Sequence, residues 1–301
     1  PLDDHHSRKL FFNRLFGFES DCPEQFKEIL NEIVEICGGL PLATVSIASL
    51  LASQPALTND LLTYIRQSLS SLFSANPTSE RTRQALNLSF HNLPQCLKTC
   101  LLYLSMYLEG YTFYRDDLVK QWMAEGFIDT REGQDAEKLA ESYLNQLISR
   151  RFIQPMRINF NNEVLSCAVH DVVHDIITQK SAEENFVVAI DYNEENTYLY
   201  HKARRITLLF GNARYAKTPT RSIIESQVRS LAFYGLFESM PSTTEFKFLR
   251  VLNLHISGYG GSKELGHEDN HVDLSVITEL SRLRYLKIAS NLCIKLPDYM
   301  G

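Results

Sequence analysis

Four segments of the pattern Arg-x-apolar-x-apolar recur in the last third of the chain: Arg204-Ile206-Leu208, Arg229-Leu231-Phe233, Arg250-Leu252-Leu254 and Arg284-Leu286-Ile288. Alternation of this kind turns every second side chain to one face of a strand. The segments start 25, 21 and 34 residues apart. Recurrence at a period of this size is the mark of stacked repeats, in which each unit buries its apolar face only against its neighbours. An insertion at Ser257 to Asp273, rich in glycine, histidine and acidic residues, accounts for the longer last interval. Such an array needs a polar cap at its end, so the pattern predicts that it continues past residue 301.

The preceding residues have a different texture. Phe26, Ile29, Leu30, Ile33, Val34 and Cys37 recur at three- and four-residue steps, the spacing of one apolar helix stripe. Gly38 and Gly39 end that helix, and Pro41 suits the first turn of the next, which runs through Ala43, Ile47, Leu50 and Leu51 and is apolar on most sides. With Leu61 to Phe73 these form a small helical bundle. The polar interval Ser74 to Glu80 reads as a linker. Three helices follow, Cys96 to Tyr107, Arg115 to Glu125 and Gly133 to Arg150. Two β-prone runs, Phe152 to Phe160 and Val164 to Val169, flank the turn pair Asn161-Asn162 and predict a hairpin. A further helix begins near His170. Three helices and a hairpin outline a winged-helix module, and the repeat period brackets the roughly 20 to 29 residues of leucine-rich repeats. The expected fold is mainly α with α+β parts: a helical bundle, a winged-helix domain and the start of an α/β leucine-rich-repeat solenoid.

Composition removes several functions. The 30 basic and 36 acidic residues give a net charge of -6, so no overall field draws the chain to nucleic acid or to an anionic membrane. The long uncharged stretch Cys37 to Asn59 contains Pro41, Pro55 and many hydroxyl residues and falls short of the roughly 20 apolar residues of a membrane span. The first residues form no basic-then-apolar signal peptide. Six cysteines in 301 residues are too sparse for a disulfide scaffold, which points to a reducing compartment. The expected location is the cytoplasm, with the nucleus and the periphery of the plasma membrane left open.

Catalytic and metal motifs are weak. No G-x-x-x-x-G-K-S/T phosphate loop occurs, and the glycine-rich run from Gly258 to Lys263 opens no convincing helix. His170 and His174 are spaced for a shared zinc ion, but Asp171 stands where a metalloprotease has glutamate and no third ligand is in view. Cys96 and Cys100 form a similar pair, again without further ligands. No G-x-S-x-G elbow marks a nucleophile. No catalytic or metal-ligating residue is therefore assigned. A winged helix can also bind DNA. In Arg115 to Glu125, however, Asp116, Asp117 and Glu125 offset Arg115 and Lys120, and Leu118, Val119, Trp122 and Met123 have the character of core.

Taken in order, several segments resemble plant disease-resistance receptors that join a nucleotide-binding switch, the NB-ARC region, to leucine-rich repeats. Gly39-Leu40-Pro41-Leu42-Ala43 is similar to the family's G-L-P-L-A motif. Cys100 to Glu109, running on through Leu118 to Ile128, resembles its winged-helix signature, with Leu108 in place of the usual proline. Val169-His170-Asp171 stands where the family has Met-His-Asp, and Leu249 to Leu254 resembles an early repeat strand. The resemblance implies that residues 1–19 end the nucleotide-binding domain, 20–80 form the first, helical ARC domain, 81–190 the second, winged-helix ARC domain, and 191–301 the first repeats.

It also implies a function: innate immunity, through a switch between ADP and ATP. Pro41, with Leu40 beside it, would pack by the adenine, and His170 would donate to the β-phosphate of ADP. The phosphate loop and magnesium site would lie upstream, so no catalysis is expected of this chain, although the family resembles weak ATPases. The implied partners are adenine nucleotide, a pathogen effector or guarded host protein on the repeats, the receptor's own N-terminal domains, and further copies on activation. Direct nucleic-acid binding and a transmembrane segment are not expected. The alternative is a winged-helix nucleic-acid binder with a repeat tail.

Overall fold

A computed structural model describes residues 1–75, 80–130, 133–191, 203–210, 227–236, 240, 246–257 and 271–297. The middle of the Ser74 to Glu80 linker and nearly all of the Ser257 to Asp273 insertion lie outside the described residues, as does the glycine-rich run at Gly258. Contacts divide the chain into two compact units. The first comprises residues 1–101, 112–115 and 141–176, and the second 102–111, 116–140 and 177–301.

The first unit opens with α1 (Asp4–Phe16), α2 (Glu24–Cys37), α3 (Pro41–Ala52), α4 (Asn59–Ala75) and α5 (Arg81–His91). Its core is built on Phe11, Phe12, Leu30, Ile33, Ile47 and Leu62, all fully buried. α1 packs on α3, α2 on α4 and α3 on α5. The helix α3 is buried continuously from Ala43 to Leu51, so the apolar character on most of its sides reflects a position at the centre of the bundle. Its hydroxyls are matched internally, Ser46 Oγ lying 2.7 Å from Ser89 Oγ of α5. The turn before it needs two left-handed residues, Gly38 at φ 62° and Gly39 at φ 71°. A side chain at Gly39 would collide with the Leu2 carbonyl, because the Leu2 N–H donates to the Gly39 carbonyl at 2.7 Å.

The remaining elements of the winged-helix region are α6 (Gln95–Leu102), β1 (Thr112–Tyr114), α7 (Arg115–Glu125), α8 (Ala136–Ser149), β2 (Ile153–Ile158), β3 (Val164–Val169) and α9 (Asp171–Glu183). The hairpin is where the sequence places it, with Asn162 at φ 62° in the turn. The strand β1, which had no sequence signal, adds to its far side and gives an antiparallel sheet of order β1-β3-β2. Phe113, Ile153, Cys167 and Val169 turn into the core.

In the second unit, β4 (Val188–Asp191), β5 (Arg205–Leu209), β6 (Ser230–Leu236), β7 (Val251–Ser257) and β9 (Tyr285–Ser290) form one parallel sheet in that order, while β8 (His271–Asp273) and β10 (Cys293–Lys295) pair separately. Each Arg-x-apolar-x-apolar segment supplies one strand, and β4 extends the sheet beyond what the sequence pattern showed. Ile206, Leu231, Leu252 and Leu286 fall in register and carry the apolar side.

The opposite face of this sheet is polar, and it meets α7. Gln121 Oε1 accepts from Tyr103 Oη at 3.1 Å, from Asn253 Nδ2 at 3.2 Å and from Tyr107 Oη. Glu125, fully buried, takes both oxygens to Arg205 at 3.1 Å and also accepts from Ser230 Oγ. The Arg205 guanidinium lies 4.1 Å from the Phe186 ring centre and 4.8 Å from that of Phe127. Lys287 Nζ reaches Asp117 Oδ2 at 2.7 Å.

On the same face His255 stacks on Tyr234 with ring centres 4.4 Å apart and meets Tyr111 edge-on at 5.5 Å. Burial, aided by the Lys287 charge, pushes its imidazole down to about 4. Between pH 6.5 and about 4 the unfolded chain therefore binds a proton that the folded chain refuses, so this contribution is complete above pH 6.5 and lost as pH falls toward 4. Asp273, held down to about 2 chiefly by the Ser275 hydroxyl, titrates below that window. The melting temperature of the second unit is expected to fall across the window, and His255→Gln to flatten the fall. An unchanged slope in that variant would refute the assignment.

Candidate functional site

Pro41, Leu40 and His170 all belong to the first unit. Pro41 is the first residue of α3, where its missing N–H costs no helix hydrogen bond. Its ring is exposed while the following turn is buried. Leu40 precedes the helix in extended conformation, half-buried and packed against the bundle core, and its carbonyl accepts from both Thr44 N–H and Thr44 Oγ at 2.9 Å. The pair thus presents a flat apolar edge on a rigid, centrally packed helix.

His170 connects β3 to α9. Its carbonyl accepts from the Val173 and His174 N–H groups, each at 2.8 Å, and its Nδ1 accepts from the Val172 N–H at 3.3 Å. One residue therefore satisfies the first donors of the helix, a task usually left to a short side-chain oxygen. With Nδ1 accepting, the neutral ring carries its proton on Nε2, which leaves Nε2–H as a donor at the helix start. Asp171 follows as an exposed acid in the first turn, where the helix dipole favours it. Val169 is buried on β3, so this apolar position packs and does not bind.

The zinc geometry weighed for His170 and His174 does not form as a helix-face pair, because His170 precedes the helix. Among the described residues no three His, Cys, Asp or Glu side chains converge. Cys22, Cys37, Cys100 and Cys167 are buried thiols, Cys96 is half-buried and Cys293 is exposed. Desolvation pushes Cys37 and Cys167 up to about 12, which removes them as nucleophiles.

Contacts within the unit tie α3 and the α9 start into one scaffold. The Ser49 hydroxyl of α3 donates to the Ser149 carbonyl at 3.1 Å and accepts from Arg14 Nε at 2.8 Å. The helix α5, packed on α3, sends Arg83 to Asp175 of α9 at 3.8 Å. Two of the expectations for α7 need correction. Glu125 is interior, so it offsets no surface charge, and Met123 is only half-buried, while Gln121 lies inside beside Glu125. The exposed side chains of α7 are Asp116 and Lys120, and one charge of each sign makes no phosphate-neutralising face. Among the described residues no helix is long and apolar enough to cross a membrane.

Helices around a small sheet with a projecting hairpin define a winged-helix domain. The family model described as "Disease resistance protein Winged helix domain" matches residues 106–177. The chain is 43% identical over 99% of its length to the disease resistance protein RGA5 of Oryza sativa subsp. japonica, and 32% identical over 99% to the disease resistance protein Pik-2 of the same plant. It is 29% identical over 95% of its length to the putative late blight resistance protein homolog R1B-16 of Solanum demissum. The chain belongs to the plant disease-resistance protein family. It covers 26%, 28% and 21% of those three proteins, about a quarter of the length of the curated relatives it matches.

Proposed function

We propose that this chain is the nucleotide-sensing portion of a plant innate-immune receptor that switches between ADP- and ATP-bound arrangements, followed by the first of its leucine-rich repeats. The observation that carries the reading is His170: its Nδ1 is committed to the Val172 N–H, so Nε2–H is the donor available to a phosphate oxygen. The residues fit the nucleotide. Pro41 and Leu40 offer an apolar edge to adenine, and His170 offers one hydrogen bond at a helix start, where the dipole also favours an anion. When bound, ADP supplies the phosphate charge on which this contact depends. His170 then acts as a latch, because it stands between a strand and a helix of the winged-helix domain and ties that domain to the nucleotide. A state that loses the contact shifts the population toward the open arrangement.

The second unit supports the repeat reading, since its strands follow chain order in one parallel sheet with one Arg-x-apolar-x-apolar segment per strand. Such an array would supply the surface for an effector or a guarded host protein.

The test uses the full-length receptor, purified and denatured to release and quantify bound nucleotide. His170→Ala removes one hydrogen bond to a charged group, worth roughly 1.5–3 kcal/mol, and is expected to speed ADP release by about 10- to 100-fold and to raise basal signalling. Pro41→Ala should weaken binding less, because it removes packing alone. Stoichiometric ADP released at the wild-type rate from the His170 variant would overturn the latch.

A further inference from the structure

The outer face of the three-stranded winged sheet has a composition that neither the nucleotide reading nor the fold explains. Register places Tyr114 and Arg157 on either side of Ser166. The Ser166 side chain is buried to 1% exposure, yet among the described residues its Oγ has no hydrogen-bond partner. It lines a concavity of about 400 Å³ together with Thr112, Tyr114, Met156 and Arg157. An unmade hydrogen bond on a buried hydroxyl is costly, and an acceptor seated in the concavity would recover it.

The surroundings are unusually apolar for a surface. Tyr114, Met156 and Ile158 are each more than half exposed, and Phe160 at the hairpin tip is completely exposed. The tip is held rigidly, since Asn159 Oδ1 accepts from the backbone N–H of Asn161 at 2.9 Å and of Glu163 at 2.8 Å, and Asn159 Nδ2 donates to Glu163 Oε2 at 2.7 Å. The turn thus holds the backbone that presents Phe160, whose apolar ring stands in water open to a partner.

Charge selects the partner. The three strands contain no acidic residue, and Arg157 is their single charge. It is exposed and makes no ion pair among the described residues. Strand addition is disfavoured, because edge strand β2 carries Pro155 and register shifts on either side of Arg157. Recognition must then proceed through side chains.

We infer that this face is a docking site for an acidic peptide segment with apolar flanks. A carboxylate of the partner pairs with Arg157 and accepts from Ser166 Oγ–H, while its neighbouring apolar side chains cover Tyr114, Met156 and the Phe160 anchor. Met156, flexible along its thioether chain, adapts to the incoming side chain.

The probe is a set of fluorescein-labelled hexapeptides, Leu-Xaa-Phe-Leu-Xaa-Leu, with Xaa as Glu, Gln or Lys, titrated against the whole chain by fluorescence anisotropy. The Glu peptide should bind at least about tenfold more tightly than the other two, the minimum expected of a charge-assisted contact worth more than one tenfold step. Arg157→Glu should abolish that preference and shift it toward the Lys peptide, and Ser166→Ala should weaken the Glu peptide severalfold. Arg157 is exposed, so an unchanged thermal unfolding curve serves as the folding control. The inference is overturned by equal affinity for the three peptides, by no binding, or by a Glu preference that survives Arg157→Glu. Duplex DNA that binds and is released by Arg157→Glu would make the face a nucleic-acid surface instead. Self-association abolished by Phe160→Ser, without peptide binding, would make it an interface between copies.

Discussion

Arg205→Ala is expected to destabilise the second unit by about 3–5 kcal/mol, the usual cost of leaving a buried charge without its partner. The Glu125 carboxylate has no exposure to water and is held by two nitrogens of the Arg205 guanidinium, Nε and Nη2, each at 3.1 Å. Alanine at 205 would remove both charge-assisted bonds and the stacking of the guanidinium on Phe186 and Phe127, leaving Ser230 Oγ and a desolvated anion behind. The paired change Glu125→Leu with Arg205→Met should recover most of the loss, because an apolar pair of similar volume removes the desolvation penalty of both ions. Trp122 is the chain's single tryptophan and lies in this unit, so its fluorescence during urea unfolding reports the relevant transition. A loss below about 1 kcal/mol in Arg205→Ala would place the pair in the energetic class of exposed salt bridges and refute its role as an internal tie.

Trp122→Ala should cost a comparable amount, about 3–5 kcal/mol, through lost burial and the cavity left behind. Trp122 is completely buried, and among the described residues its indole Nε1 has no hydrogen-bond partner. Trp122→Phe therefore forfeits volume but no hydrogen bond, and its cost should be less than half that of the alanine variant. Far-ultraviolet circular dichroism measures both, since the fluorescent reporter is gone. Equal losses in the two variants would show that the indole nitrogen is paired after all and that polar satisfaction, not packing, decides the position.

Much of the fold was legible in local sequence. The helices α2, α3 and α7, the hairpin and the four Arg-headed strands stand where periodicity, glycine pairs and the Asn-Asn turn put them. The strands β1 and β8 contain only three residues each, too few for alternation to register, and they exist because a neighbour completes their hydrogen bonds. For α1 the apolar residues are clustered and give no clear stripe, so periodicity does not mark it as a helix. Of the candidate site, the helix start at His170 was readable from spacing, and its relation to nucleotide came from resemblance alone. The commitment of Nδ1 to the Val172 N–H is decided by the folded structure, because a ring's tautomer depends on what lies within hydrogen-bond reach.

The polar face of the parallel sheet was not legible at all. Glu125 reads in sequence as one acid among several on a mixed-charge helix, and Arg205 as the residue after a repeated arginine. They are 80 residues apart, and neither position breaks the periodicity of its own element. The sequence by itself determined most of the elements, because helix stripes, strand alternation and turn residues act over a few residues of chain. Only the tertiary structure decided which polar groups leave water, because desolvation depends on what packs above a side chain, and that neighbour is set by the fold.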